Sequence, residues 1–324
     1  MVKSMPSLGI TPSIGRFFIP IIFIILFLQP FYFYSQSAEP ALTQPRDEIW
    51  NNSTVSDNVT VSEAAIVIVE NLTIGDGGRL TIRNSTLQMS PTFNSSSYID
   101  IKGGGTFTLL DSKILSTTTY SYDVFARAGS SLSINRSEIY KCGYKGGDVG
   151  SGLTIFNDDS TIEDTKMYIE GVGLSALSGT VYLYNTTFFP SYPTHDMLTC
   201  SEIIYCQYGN FYAEGCTFIG VQNPNASYPM ISSCHFMPRY SNAKVIIRNS
   251  TFVGSDSIID GNCSLSNVTW TGNTSNWLVS VIGDPAVFEK CTINNSKGVG
   301  LSLYRSNPIF YNSTVHGSTY KNTL

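Results

Sequence analysis

Leu80-Thr-Ile-Arg-Asn-Ser-Thr-Leu87 decides the architecture: apolar residues alternate, Asn and a small hydroxyl residue follow, and an apolar residue resumes. The phrase returns as Val181-Tyr-Leu-Tyr-Asn-Thr-Thr-Phe188, Val245-Ile-Ile-Arg-Asn-Ser-Thr-Phe252 and Ile309-Phe-Tyr-Asn-Ser-Thr-Val315. Weaker copies are Phe107-Thr-Leu-Leu-Asp-Ser-Lys-Ile114, Leu132-Ser-Ile-Asn-Arg-Ser-Glu-Ile139, Phe211-Tyr-Ala-Glu-Gly-Cys-Thr-Phe218 and Val287-Phe-Glu-Lys-Cys-Thr-Ile293. A spacing of about 25 residues is that of a solenoid. Strands of three to five residues at this period describe coils, since a propeller blade needs four strands and about 40 residues.

Composition agrees with an all-β chain. Ser, Thr, Asn, Gly and Tyr are abundant, which favours strands and turns over helices. With 42% hydrophobic residues the chain can bury a core. Its formal charge of −5, with 13% charged residues, lacks the basic footprint that nucleic acid requires. Between the phrases lie Gly turns, such as Gly75-Asp-Gly-Gly78 and Gly103-Gly-Gly105, which tolerate positive φ. Alternating residues such as Leu80 and Ile82, or Val245 and Ile247, are expected to point inward as apolar ladders. The turn Asn suits left-handed backbone, and its amide is expected to satisfy peptide groups of the next coil. An Asn buried in such a ladder is closed to glycan, so Asn84, Asn185, Asn249 and Asn312 are open to either role.

The N-terminus reads as an export signal. Lys3 and Arg16 precede the apolar run Phe17 to Leu28, and Ser35-Gln-Ser37 places small residues before a cleavage point at Ala38. Residues 1–37 are therefore a signal peptide, or an uncleaved anchor helix if Phe31-Tyr-Phe-Tyr34 extends the span. Residues 38–48 form a linker, and 49–324 the repeat domain. Fifteen Asn-x-Ser/Thr sequons support a secreted or cell-surface location. Outside the four phrase sequons above, the glycan candidates are Asn58, Asn71, Asn94, Asn135, Asn225, Asn262, Asn273 and Asn294. Of seven cysteines, Cys200 and Cys206 share one Pro-rich segment and are the candidate local disulfide. Cys216 and Cys291 occupy the same place in the repeat and read as small buried residues. Ser191 to Cys206 and Gln222 to Arg239 read as bulging loops, although Ile231-Ser-Ser-Cys-His-Phe236 also fits a degenerate repeat.

The phrase resembles the right-handed parallel β-helix repeat of the pectin-lyase-like family, over most of residues 55–318. The opening Ile68-Val-Glu-Asn-Leu-Thr-Ile-Gly-Asp-Gly-Gly-Arg-Leu-Thr-Ile-Arg-Asn-Ser-Thr-Leu87 is similar to archaeal cell-surface members. The resemblance implies a solenoid of about ten coils. It leaves function open, because that family holds lyases, hydrolases, adhesins and scaffolds. Asn157-Asp158-Asp159 is faintly like the paired aspartates of polygalacturonase-type hydrolases, but the Gly-His-Gly and Arg-x-Lys motifs that likeness requires are absent.

Catalytic candidates are few. Asp158, Asp159, Glu163 and Asp164 are the acidic cluster available as acid and base on a glycosidic bond, or as oxygen ligands for Ca²⁺. Solvated turn carboxylates are the plainer reading. His195-Asp196 lies in the Pro-rich loop without a nucleophile, and no Cys/His spacing suggests zinc. Tyr98, Tyr120, Tyr122, Tyr140, Tyr144, Tyr182, Tyr184, Tyr205, Tyr208, Tyr212, Trp270 and Trp277 are either core or sugar-stacking platforms. No charged residue is seen repeating in register between coils. The expectation is thus a non-catalytic surface protein (scaffold, adhesin or glycan-binding stalk) meeting cell-envelope components or extracellular glycans. Its membrane contact runs only through the N-terminal segment, and end-to-end or disulfide-linked self-association is open to it. The alternative is a polysaccharide lyase or glycoside hydrolase working in a groove on one face.

Overall fold

The computed structural model describes residues 47–144, 151–169, 171–190, 202–220, 233–238, 243–272, 277–283 and 286–322. The expected leader over 1–37 lies outside them, as do Cys200, Asn225, Asn273, His195 and Asp196. The first strand, Asp47–Trp50, begins inside the expected linker.

Every strand pairing among these residues is parallel and joins one coil to the next, so the chain is a parallel β-solenoid. Each coil contributes three short strands, giving three faces. On the third face eleven strands run in chain order, from Asn58–Ser62 through Arg79–Arg83 and Thr106–Leu110 to Ile309–Tyr311. That is eleven coils among the described residues, against the expected ten or so. The first face is built from strands such as Thr86–Met89, Lys113–Ser116, Glu138–Cys142, Lys166–Ile169 and Thr187–Pro190. The second carries Tyr98–Ile101, Asp123–Ala126, Leu153–Ile155 and Leu174–Ala176. Coil length is irregular, from 18 residues between Val245 and Cys263 to 34 between Phe211 and Val245.

The repeat phrase is the corner between the third face and the next first face. One residue there adopts left-handed backbone in every coil: Glu63, Asn84, Asp111, Arg136, Asp164, Asn185, Asn249, Asn267, Lys290 and Asn312 lie at φ 45° to 56°, and Gly215 at 68°. Asn and Asp tolerate this conformation better than other side-chain-bearing residues. The following residue turns inward and, where it is Ser, Thr or Cys, carries the ladder, which the buried Val268 interrupts. Ser112 Oγ accepts the backbone N–H of Ser85 at 3.1 Å and donates to Leu110 O at 2.6 Å. Ser85 serves Ala64 in the same way, and Ser137 serves Ser112. The expected amide ladder is therefore a hydroxyl ladder. Asn84, Asn185, Asn249 and Asn312 point their side chains to solvent. Their sequons are the corner itself: a left-handed Asn, an inward hydroxyl, and the first Thr of the next strand.

Cysteine substitutes for serine in this ladder. Cys216 Sγ contacts Glu214 O at 3.5 Å and takes the N–H of Thr186, while Cys291 Sγ contacts Glu289 O at 3.4 Å and takes that of Val268. The six described cysteines are free and buried. Cys206, expected to bond Cys200, instead points into the core at the Gly209 carbonyl, 3.4 Å away. Burial pushes the Cys206 and Cys234 thiols up to about 12.

The core is a set of stacked ladders. Leu80, Ile82, Val181, Leu183, Val245 and Ile247 are buried as the alternation requires. Behind the first face, Phe188, Phe218, Phe252 and Trp270 stack in sequence, with centroids 5.2, 4.6 and 5.1 Å apart. Such offset ring pairs add to the burial term. Two expected loops contain strands. Glu202–Cys206 and Ser233–Phe236 pair with each other on the second face. Ser233–Phe236 is thus the second strand of a long coil, not an extra coil.

Replacing Ser112 by Ala orphans the buried Ser85 N–H, at a cost of about 1–3 kcal/mol. Ser112→Cys keeps an inward acceptor, as Cys216 and Cys291 do. Chemical denaturation should therefore rank wild type above Ser112→Cys, and that above Ser112→Ala. Equal midpoints for the two variants would remove the ladder's energetic role.

Candidate functional site

Counting from the left-handed corner residue identifies what the first face presents outward. The second residue after it gives one column: Thr86, Lys113, Glu138, Lys166, Thr187, Thr217, Thr251, then Thr269, Thr292 and Thr314. The fourth residue after it gives the neighbouring column: Leu115, Tyr140, Tyr168, Phe189, then Ile219, Val253 and Thr271. A polar column and a largely aromatic or apolar column therefore run side by side along the rod. Strands repeat at about 4.8 Å, so the polar column from Lys113 to Thr314 spans roughly 40 Å.

Its centre is the most organised part. Tyr140 and Tyr168 stack with centroids 4.3 Å apart and planes 3° from parallel, and Phe189 continues the stack at 5.0 Å. All three rings are half-buried. Beside them Glu138 accepts Lys113 Nζ at 2.7 Å and the Tyr140 hydroxyl at 2.9 Å, and Lys166 Nζ approaches to 3.9 Å. The Lys113 hydrogen bond holds the Glu138 carboxyl below its ordinary value. Burial, then the Glu138 hydrogen bond, raises the Tyr140 hydroxyl, which stays a donor at neutral pH. This Lys–Glu–Lys set is a charged group repeating in register between coils, against the expectation that none exists. Farther along, Thr187, Thr217, Thr251, Thr269 and Thr292 are half-buried. Their hydroxyls make no hydrogen bond within the described structure, leaving them available to a ligand.

The other faces differ. On the second face the outward side chains Thr154, Ser175, Tyr205, Asp256 and Ser280 are buried, so it is not an open sheet. Ser151 Oγ and Ser175 Oγ are buried there without a hydrogen-bond partner. Burial pushes the Asp256 carboxyl up to about 8. His235, paired in register with Tyr205 and Ile258, has its ring 6.2 Å from that of Tyr205. On the third face Tyr182 and Tyr212 stack outward at 5.0 Å.

The acidic candidates are not assembled into a pair. Asn157 is a buried turn residue that donates to Ser130 O and Asp159 O. Asp159 precedes the third-face strand Ser160–Glu163 and accepts Ser131 Oγ at 2.9 Å. Glu163 ends that strand, accepting Asn135 Nδ2 at 2.8 Å, and Asp164 is the next corner residue. Asp159 and Glu163 stand at the two ends of the strand, their Cα atoms about 13 Å apart, and their carboxylates accept from different partners, Ser131 and Asn135. Asp158 faces solvent on the opposite corner from Asp164. No group of three His, Cys, Asp or Glu arranged for a metal such as Ca²⁺ occurs among the described residues.

Of the glycan candidates, Asn58 and Asn294 are exposed. Asn71 accepts the Tyr98 N–H, Asn94 accepts that of Ser121, and Asn135 bridges Glu163 and Arg136. Asn262 is half-buried. Of the aromatic candidates, Tyr122 and Trp270 are core, while Tyr120, Tyr144 and Tyr184 are exposed.

Because the Glu138 carboxyl is depressed when folded, its contribution is present above its unfolded value, near 4.3, and lost as pH falls through the folded value. Wild type should unfold at a higher temperature than Glu138→Gln at pH 7, and the gap should close toward pH 3. A gap that is constant with pH would contradict the ion-pair assignment.

No family model matches this chain, and no curated protein matches it. The comparisons lend nothing to the archaeal likeness. Among solved structures, the catalytic unit of a thermostable GH87 α-1,3-glucanase from Streptomyces thermodiastaticus strain HF3-3 aligns at 13% identity and a TM-score of 0.39. The alignment covers 86% of this chain and 65% of the glucanase chain, so this chain spans less than two thirds of that structure. An alginate lyase from Paenibacillus sp. str. FPU-7 aligns at 14% identity and a TM-score of 0.39, covering 82% of this chain and 98% of the lyase. Likeness at this level assigns no activity; the solenoid stands on its own strand pairings.

Proposed function

We propose that the protein binds an extended polysaccharide along its first face. The observation that carries this reading is the paired columns, with Tyr140, Tyr168 and Phe189 beside Lys113, Glu138 and Lys166. Sugar rings present C–H groups that pack against aromatic side chains and hydroxyls that pair with polar ones; since Tyr140, Tyr168 and Phe189 stack on one another, their edges and hydroxyls are what a sugar meets here. A linear glycan needs both kinds of contact repeated along its length, and the two columns supply both over the three consecutive coils of Tyr140, Tyr168 and Phe189. Pre-stacked rings on rigid strands lose little freedom on binding, which favours affinity. An exported, glycosylated surface protein remains the expected setting, with envelope or extracellular glycans as partners.

Cleavage of a polysaccharide is the second reading, and the second face favours it. Asp256, with a value near 8 and buried, is suited to give or take a proton near neutrality. It lies on the strand next to His235, two positions before His235's register partner Ile258.

Retention and turnover can be read from one panel of neutral and acidic polysaccharides, scoring gel retardation together with reducing-sugar and unsaturated-product release. The binding reading expects retention that Tyr168→Ala weakens about tenfold, the loss of roughly one good ring contact. Product release abolished by Asp256→Asn would establish the cleavage reading. Retention unchanged in Tyr168→Ala would reject the first face as the binding surface.

A further inference from the structure

On the second face Arg127 is held in a way that a plain surface ion pair does not require. Its Nε donates to Asp100 Oδ1 at 2.7 Å, and Asp100 is itself 4% exposed. The guanidinium carbon lies 4.5 Å from the Phe125 ring centroid and 5.5 Å from that of Phe156, one coil farther on. The backbone is fixed as well: Arg127 N donates to Ile101 O, and Ser130 N and Oγ both donate to Arg127 O. Asp100 Oδ2 is taken by Lys102. The buried carboxylate thus offsets one of two cations, leaving a net positive charge. The arginine side chain remains 41% exposed, and among the described residues neither Nη1 nor Nη2 has a hydrogen-bond partner.

We infer that Arg127 is an anion-binding group, presenting its free Nη1/Nη2 edge to a carboxylate or sulfate carried by a sugar. The planar fork matches the two oxygens of such a group, and Lys does not reproduce that geometry. Two rings and one carboxylate already fix the plane, so binding costs little ordering of the side chain. The chain's net charge of −5 gives no general attraction for polyanions. Selection for an acidic glycan must then come from a local group of this kind. The inference rests on reading the protein as a glycan binder and adds the ligand's charge and a second contact point away from the aromatic stack.

The test measures dissociation constants for polygalacturonate, dextran sulfate and unmodified dextran at fixed ionic strength. Wild type, Arg127→Ala, Arg127→Lys and the remote exposed cation variant Lys290→Ala are compared, with circular dichroism as the fold control. Wild type should bind at least one polyanion, and Arg127→Ala should weaken it tenfold or more. Arg127→Lys should recover less than half of that loss in log units. Lys290→Ala should match wild type, and dextran binding should be alike in all four proteins. Loss confined to polygalacturonate assigns a carboxylate ligand, and loss confined to dextran sulfate a sulfate. Wild type failing to bind either polyanion, equal polyanion affinity in wild type and Arg127→Ala, or full rescue by Lys would overturn the inference. In the last two cases a Tyr168→Ala defect on dextran would leave the binding function standing.

Discussion

The hydrogen bond from a corner N–H to the hydroxyl of the next coil is the constraint on which the rest depends. At each corner the chain bends through the left-handed region: the corner N–H still reaches a carbonyl of the next coil, as Asn84 N reaches Leu110 O at 3.1 Å, whereas the N–H after it goes to a side chain, as Ser85 N does to Ser112 Oγ. A buried N–H left unpaired costs about 1–3 kcal/mol, and there is one such corner per coil. Ser85, Ser112, Ser137, Ser250 and Ser313 each fill this place with an oxygen that also donates back to the carbonyl two residues earlier. A fixed corner sets the facing of the next strand. The residue after the hydroxyl must open the first face pointing outward, and its successor must enter the core.

That geometry connects the repeat to the candidate surface. The Thr of Asn-Ser-Thr points outward on the first face because the preceding Ser is committed to the ladder. The apolar residue after it joins the Phe188, Phe218, Phe252 and Trp270 stack for the same reason. The residue two beyond Thr is outward again, and there Tyr140, Tyr168 and Phe189 replace smaller side chains in three consecutive coils. Varied coil lengths are absorbed mostly in the connections between the first and second faces, and in the longest coil also between Phe236 and Val245, while the first face keeps its register apart from a bulge between Tyr140 and Cys142.

The inward ladders were legible because alternation has a period of two and needs only local residues: Leu80 with Ile82 and Val245 with Ile247 are read directly. The left-handed Asn was legible for the same reason. Long-range register escaped. With coils of 18 to 34 residues, Lys113, Glu138 and Lys166 show no fixed spacing in sequence, yet all stand two residues after a corner. Aligning the phrases on that corner residue would have exposed both columns. The second-face strands Leu153–Ile155 and Leu174–Ala176 were hidden for a different reason. Their outward Thr154 and Ser175 are buried too, so the alternation of an exposed sheet is absent. Asp159 and Glu163, close in sequence, stand at the two ends of one strand, a separation that the spacing of acidic residues alone does not show.

The most direct measurement of the central claim is isothermal titration with a size series of oligosaccharides cut from one retained polysaccharide. A surface repeating its contacts over consecutive coils predicts that the dissociation constant falls with each added sugar across several units before levelling. A constant that is flat from the shortest binding oligosaccharide upward would place recognition in a single pocket and contradict an extended first-face site.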